Sequence, residues 1–189
     1  MRRSRSDLWI KGAAAIFLLA ACWFLARAGQ RYKACTAELR ADNAKLDAID
    51  TDMTAHLNKL AALLRRGPLD PATHEIDRLA NIDDPTAAAF GILGRWIDPS
   101  VPVPTWNGND TPVPDGLPPD VLYRLKLTEF SNIQLQAQII AVHLAMPDDA
   151  DRGLAHNHQA ILLKELDWLD AVNTRAPKPA LSAMHCLRR

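Results

Sequence analysis

The hydrophobic and polar positions divide the chain into one uninterrupted apolar segment followed by a series of amphipathic stretches. The apolar run covers residues 12–26, follows a basic start and is closed by small residues. A helix over this run is roughly 22 Å long, which is short against a hydrocarbon core of about 30 Å. It reaches a spanning length when residues 8–10 are included and Lys11 extends its ammonium group to the headgroups. Residues 1–28 are therefore predicted to be a signal or membrane-anchor segment.

Two processing sites compete with retention of this segment. Residues 26–28, Ala-Arg-Ala, form an A-x-A sequence just after the apolar run, and cleavage after Ala28 would release an exported soluble protein. Residues 19–22, Leu-Ala-Ala-Cys, resemble the lipobox of bacterial lipoproteins, which implies lipidation of Cys22. Retention without processing predicts a single-pass protein of the bacterial inner membrane, with the bulk of the chain in the periplasm. Basic residues flank both sides of the run, so an inverted topology stays open.

A seven-residue pattern continues through 29–66 and predicts one long helix. One series of positions forms a candidate packing seam: Tyr32, Leu39, Leu46, Met53 and Leu60. The series three positions later is interrupted by Asp42 and His56, so the pattern favours packing of one stripe against a partner helix over a regular coiled coil. Gly67 and Pro68 are expected to end the helix. Such a helix would be a stalk, a dimer seam or the first helix of a bundle.

Two short helices are predicted next, over 71–81 and 85–97. An Asp-Pro pair begins each of them, with the acid as the N-cap and the proline at the first helical position. The following segment, 98–119, is dense in proline, which excludes a helix or a central strand and predicts an extended loop. A loop of this length is either a surface connection or a segment that binds a partner. Its alternating apolar residues suit the second role: Val101, Val103 and Trp106.

Two long amphipathic helices are predicted after the loop, the first over 120–146 and the second ending near residue 173. Only a few residues connect them, so the pair is expected to form an antiparallel hairpin. The fold class is accordingly all-α and bundle-like, with an N-terminal membrane or signal helix leading into a long helix, two short helices, a proline-rich loop and the hairpin. The predicted division of the chain is 1–28, 29–97, 98–119, 120–175 and a tail, 176–189.

The chain has three cysteines, and their positions indicate the redox state of its compartment and a candidate link to its C-terminal tail. Cys22 lies inside the apolar run, which leaves Cys35 and Cys186 as candidates for one disulfide in an oxidising compartment. That bond would tie the C-terminal tail to the base of the long helix. Pairing between two subunits and two unrelated thiols remain open as alternatives.

Candidate chemistry is sparse. Three histidines near the hairpin bend are candidate metal ligands, His143, His156 and His158, and Met184, His185 and Cys186 would add soft ligands suited to copper. The competing interpretation is that these are solvated histidines beside a loose tail. Nucleophile, phosphate-loop and zinc-protease motifs are absent from the sequence, so no catalytic residue, enzyme activity or cofactor is expected. The chain carries 22 basic and 22 acidic residues without a basic cluster in its exported part, which argues against nucleic acid as a partner.

These patterns favour a membrane-anchored, extracytoplasmic helical protein that assembles, tethers or scaffolds an envelope complex. Its expected partners are the membrane and either other proteins or a second copy of itself, through helix packing. In layout alone the chain is similar to the inner-membrane spanins of phages, which implies a role in lysis. A third hypothesis is a ligand-sensing or metal-binding bundle with a pocket lined by Trp96, Phe130 and Trp168.

Overall fold

The structure of the chain, a computed structural model, describes residues 5–97, 100, 102, 115–175 and 181–187. Every regular element among these residues is helical, which confirms the predicted all-α class. Short 3-10 turns cover Pro71–Thr73 and Ala183–Leu187. The five α-helices are α1 (Arg5–Leu64), α2 (Glu75–Ala80), α3 (Thr86–Trp96), α4 (Pro119–Ala145) and α5 (Asp149–Arg175). The alternating residues Val101, Val103 and Trp106 of the predicted partner-binding loop lie outside the described residues.

Helix α1 joins two predicted elements, because the N-terminal apolar segment and the seven-residue pattern form one continuous helix. The helix ends at Leu64, slightly before the predicted residue 66, and the Arg65 amide still donates to the Ala61 carbonyl at 3.0 Å. Gly67 follows with a φ of 128°, a conformation that a Cβ would strain. The predicted stop signal therefore works as expected, through a residue that can leave the helical conformation at little cost.

The predicted helix over 71–81 is wrong in one respect, because the structure breaks it in two. Asp70 does act as a cap, and its Oδ1 accepts the Ala72 amide at 2.9 Å. Only a single 3-10 turn follows, because His74 adopts a left-handed conformation with a φ of 51°. Helix α2 then begins at Glu75. The Asp-Pro pair thus directs the start of a turn and not the length of the helix after it.

The second Asp-Pro pair starts α3 as predicted, one residue later than expected. Asp84 Oδ1 accepts both the backbone amide of Thr86 at 2.8 Å and its hydroxyl at 2.6 Å. The Thr86 hydroxyl lies 3.0 Å from that of Ser131 on α4. The start of α3 is thereby fixed to α4 as well as capped.

The chain forms two compact units. The first unit comprises Met1–Ala41 and Ser182–Arg189, and the second comprises Asp42–Leu181. Helix α4 contacts α2, α3 and α5 within the second unit. The innermost side chains of that unit are fully buried: Leu46, Leu60, Leu127, Phe130, Ile133, Ile140, Leu162 and Val172. Each such large apolar side chain contributes roughly 1.5–3 kcal/mol by leaving water, so this cluster stabilises the second unit strongly.

Helices α4 and α5 run in opposite directions. His143 is paired with Asp151 next to the bend, and Gln136 is paired with His158 further along, each at 3.0 Å. Moving toward the N-terminus of α4 therefore moves the contact toward the C-terminus of α5. Three residues separate the two helices, which is the short connection that an αα-hairpin uses.

Gln159 of α5 caps the C-terminal end of α1. Its Nε2 donates to the Leu64 carbonyl at 2.8 Å and to the Gly67 carbonyl at 2.9 Å. Carbonyls in the last turn of a helix have no partner inside the helix, and Gln159 is only 8% exposed, so water cannot easily replace it.

We expect Gln159→Ala to lower the free energy of unfolding by about 1–3 kcal/mol, because it leaves two carbonyls unpaired at a buried site. Urea unfolding monitored by circular dichroism measures the change. Ala171→Gln, at an exposed position of the same helix, is the control and should change stability little. Equal stability of the wild type and Gln159→Ala would contradict the capping role.

Candidate functional site

The apolar part of α1 is exposed, because no other described part of the chain covers it. Its large side chains are 67–80% exposed at Ile16, Phe17, Leu18 and Leu19. By length and composition, α1 contains a stretch that could cross a membrane, and a signal sequence would meet the same criterion. The N-terminal helix is consistent with a single-pass membrane anchor or with a signal sequence. Cys22, the lipidation candidate, lies on this part of α1 as an exposed free thiol.

A disulfide joins Cys35 of α1 to Cys186 of the C-terminal 3-10 turn. The two Cα atoms are 5.8 Å apart, and the bond closes a loop across a sequence separation of 151 residues. The bond lies within the first unit. It takes the sulfur of Cys186 away from the soft ligand set considered for copper, since a disulfide sulfur is not a thiolate.

The packing seam is buried along most of its length. Leu46, Met53 and Leu60 are at most 1% exposed, and Leu39 is 5% exposed. Tyr32 differs, with 41% of its surface exposed. The seam therefore supplies core residues to the second unit, while its first position stays at the surface of the first unit.

Asp42, which interrupts the seven-residue pattern, is not a solvated break. It is 2% exposed, and its Oδ2 accepts the indole N–H of Trp96 at 2.8 Å. Its Oδ1 accepts from the Arg95 guanidinium at 3.1 Å. A buried carboxylate is tolerated when it is paired and hydrogen-bonded in this way. The sequence analysis did not predict these contacts of Asp42, because both partner residues lie on a different helix, α3. The available hint was that Asp42 lies beside the packing seam, where a buried residue is expected.

A second buried charge was also missed. Lys126 of α4 is 1% exposed, and its ammonium pairs with Asp50 of α1. The same ammonium lies 5.9 Å from the ring centroid of Tyr123. Burial, together with the charges of Asp50 and Asp47, raises the pKa of Tyr123 well above its usual range. The phenol therefore stays neutral, and the charge at this site belongs to the Lys126–Asp50 pair.

Two carboxyl groups are buried between α4 and α5. Glu129 is 1% exposed and Glu165 is 8% exposed. Burial raises the pKa of Glu129 to about 7, against a hydrogen bond from Asn132 that lowers it, and the charge of Glu165 raises it further. Burial also raises the pKa of Glu165. Among the described residues, Glu129 Oε1 and Glu165 Oε2 have no hydrogen-bond partner, which suits protonated carboxyl groups better than two anions.

This pair predicts that the second unit loses stability as the pH rises. The folded-state pKa of Glu129 exceeds its unfolded value of 4.5, so the folded state binds the extra proton and its advantage disappears between about pH 4.5 and pH 7. The expected loss is about 3 kcal/mol, the free energy of a shift of that size. Urea unfolding at a series of pH values measures it.

Glu129→Gln removes the ionisable group while keeping its shape, and should flatten that pH dependence and stabilise the protein at pH 8. Asp52→Asn, at an exposed position of α1, serves as the control and should leave the dependence intact. A profile that rises between pH 5 and pH 8, or one that Glu129→Gln does not change, would contradict a protonated buried Glu129.

The candidate metal ligands are only partly brought together. The rings of His143 and His158 stack with their centroids 6.0 Å apart, and each Nδ1 is already paired, with Asp151 and Gln136 respectively. His156 is exposed. Within the described ranges, no group of three His, Cys, Asp or Glu side chains is placed to hold a metal ion.

The three side chains proposed to line a ligand pocket are core residues. Phe130 is fully buried, and Trp96 and Trp168 are 6% and 7% exposed. The Trp96 indole is committed to Asp42, and the Phe130 ring meets the His56 ring at 5.9 Å in an edge-on contact. They fill the second unit.

Five exposed apolar side chains lie on the two hairpin helices and at their connection, and we call this set the outer stripe. Its members are 37–56% exposed: Leu135 and Val142 of α4, Met146 just after α4, and Leu154 and Ile161 of α5. An interval of seven residues places the two α4 members on one helix face, opposite the face that carries Ala137 and Ile140 in the core. Met146 follows the helix in an extended conformation. The apolar spacing of α5 alone predicts one packing face that includes Leu154 and Ile161, and their exposure corrects that prediction.

No protein-family model, curated protein or solved structure matches this chain.

Proposed function

We propose that this protein is a single-pass membrane protein whose helix α1 anchors a helical unit on the periplasmic side of a bacterial inner membrane. There it binds other proteins through its helices and assembles, tethers or scaffolds an envelope complex. The observation that carries the proposal is the bare apolar surface of α1. Four successive large side chains, residues 16–19, are at least 67% exposed, and such a surface is stable against lipid and unfavourable in water.

The Cys35–Cys186 disulfide supports the periplasmic side. Disulfides persist in oxidising compartments such as the periplasm and are rare in the cytosol, where thiols are kept reduced. Cys35 lies only a few helical turns beyond the end of the apolar run, so the bond and the anchor sit on one helix. An inverted topology would place this bond in a reducing compartment, which argues against it.

The outer stripe supports a role in protein binding. An exposed row of aliphatic side chains on a helix is the surface that a partner helix buries when it packs in the groove between two helices. If these positions faced only water, polar side chains would suit them better than apolar ones. The partner is therefore expected to present an amphipathic or apolar helix.

Protease accessibility combined with membrane extraction tests the proposed placement. The full chain should stay in the membrane pellet after alkaline carbonate treatment. Protease added to spheroplasts should degrade the second unit, whereas intact cells should protect it. A chain that begins at residue 29 and stays in the soluble fraction would contradict the anchor, and protection in spheroplasts would contradict the periplasmic side.

A matched pair of charge substitutions tests the outer stripe. Val142→Asp places a carboxylate on the stripe, while Ala171→Asp places one at an exposed position of α5 outside the stripe. Cross-linking in cells should give higher-mass adducts with the wild type and with Ala171→Asp, and fewer with Val142→Asp. Equal adduct formation by the two variants would contradict binding through the stripe, provided that circular dichroism shows both are folded.

A further inference from the structure

The first unit holds a groove of about 920 Å³ beside the end of the apolar run. Its lower wall is aromatic, with Trp23 and Phe24 in edge-on contact at 5.1 Å between ring centroids. Ala28 and Gly29 line its middle, and the absence of large side chains there keeps it open. Its upper wall includes Tyr32 and the disulfide-linked turn. The groove is thus lined by aromatic and apolar side chains at one end and by Tyr32 and the disulfide at the other.

Two arginines line the same groove, and both are exposed. The Arg27 guanidinium lies 5.0 Å from the centroid of the Trp23 ring, in a cation–π contact. Arg31 follows four residues later, one helical turn further from the apolar run. None of the described residues that line the groove is acidic. The groove therefore combines positive charge with a lipid-compatible wall, and its described lining supplies no carboxylate to neutralise the charge.

The depth of the groove matches the headgroup layer. If α1 spans the membrane, the apolar run ends at about residue 26, and Arg31 lies roughly 8 Å further along the helix axis. The headgroup region of one leaflet is about 5–8 Å thick, so Arg27 and Arg31 fall at the level of the lipid phosphates. Trp23 and Tyr32 bracket that level, in the belt where amphipathic aromatic side chains are favoured.

We propose that this groove binds the headgroup of an anionic phospholipid, with Arg27 and Arg31 pairing with its phosphate. The disulfide holds Cys186 and Leu187 at the edge of the site, where Leu187 is 70% exposed and adds apolar surface beside the headgroup. The proposal rests on the proposed anchoring of α1. It adds a lipid class and two positioning charges to that role, and it assigns the C-terminal turn a part in the site.

The test compares lipid binding to the purified full chain in detergent micelles by native mass spectrometry. Phosphatidylglycerol and phosphatidylcholine with identical acyl chains are the probes. Each basic side chain near the headgroup favours an anionic lipid by about fivefold, so the wild type should prefer phosphatidylglycerol by at least about tenfold. Inorganic phosphate in excess should not displace the lipid, because it lacks the acyl chains that meet the aromatic wall.

Arg27→Gln combined with Arg31→Gln should reduce the preference to about twofold or less. Arg40→Gln is the matched control, since Arg40 is an exposed arginine of α1 outside the groove, and it should keep the full preference. Equal binding of the two lipids by the wild type would overturn the proposal. So would an unchanged preference in the double variant, or equal loss in the control.

Cys35→Ser combined with Cys186→Ser releases the C-terminal turn and leaves both groove arginines in place. Binding of both lipids should weaken about threefold or more, while the preference for phosphatidylglycerol stays. Unchanged affinity would overturn the part assigned to the C-terminal turn. Carbonate extraction of each variant separates this inference from the anchor: a wild type that stays in the membrane without a lipid preference contradicts the lipid site alone, and one absent from the membrane contradicts the anchor.

Discussion

Replacing Cys35 and Cys186 by serine is expected to lower the free energy of unfolding by about 3–5 kcal/mol. The bond closes a loop across 151 residues, and this loop encloses the whole of Asp42–Leu181. In the chain-entropy model the stabilisation grows with the logarithm of loop length and reaches about 5 kcal/mol here, because the unfolded chain is constrained most by a long loop.

Urea unfolding of the full chain, followed by far-ultraviolet circular dichroism, measures this loss. Cys22→Ser is the matched control, because Cys22 is exposed, unpaired and outside the closed loop. It should unfold at the same urea concentration as the wild type. A loss below about 1 kcal/mol in the double serine variant would show that the bond does not limit the unfolded chain as described.

Asp50→Ala is expected to cost about 3–5 kcal/mol, because it leaves the ammonium of Lys126 buried without its partner. Lys126 is 1% exposed, so neither water nor a rotamer change can compensate easily. Asp52→Ala removes a carboxylate two residues away on the same helix at an exposed position, and should change stability by less than about 0.5 kcal/mol.

The double variant Asp50→Ala with Lys126→Met separates pairing from packing. Removing both charges should recover most of the loss, since a buried ion pair is often replaced by apolar residues at little cost. Thermal and urea unfolding of the three variants measure the difference. A double variant as unstable as Asp50→Ala alone would show that the charge of Lys126 is not the source of the instability.

Periodicity predicted the elements well because it reports local structure. The seam positions Leu46, Met53 and Leu60 were correctly placed on one helix, and all three are core residues. The hairpin helices also follow their apolar spacing. Their observed boundaries differ from the predicted ones by one or two residues at most. Capping from a different helix, such as that of α1 by Gln159, leaves no mark in the periodicity.

Buried charges could not be predicted from spacing alone. Asp42 meets Trp96 at a separation of 54 residues, and Lys126 meets Asp50 at a separation of 76. A one-sequence pattern assigns each of these side chains to the surface, because it carries no information on a distant partner. The left-handed His74 is a similar case, since the Asp-Pro signal before it says nothing about where the turn ends.

The candidate surfaces were predicted in part. The Cys35–Cys186 bond was one of the pairings that the sequence left open, because Cys22 lies in the apolar run and two other cysteines remain. Of the three histidines predicted as metal ligands near the hairpin bend, His143 and His158 do meet, as a stacked pair. The outer stripe was missed because exposed aliphatic side chains at helical spacing resemble core positions when no tertiary contact is known.

Intact mass of the membrane-extracted protein, measured with and without reductant, tests the central claim most directly. We expect the mass of the full 189-residue chain in the membrane fraction, lower than that of the reduced chain by two hydrogen atoms, which reductant restores. That result requires an uncleaved α1 and a formed Cys35–Cys186 bond. A mass beginning at residue 29, or an acylated chain beginning at Cys22, would contradict the anchor, and a mass unchanged by reductant would contradict the oxidising compartment.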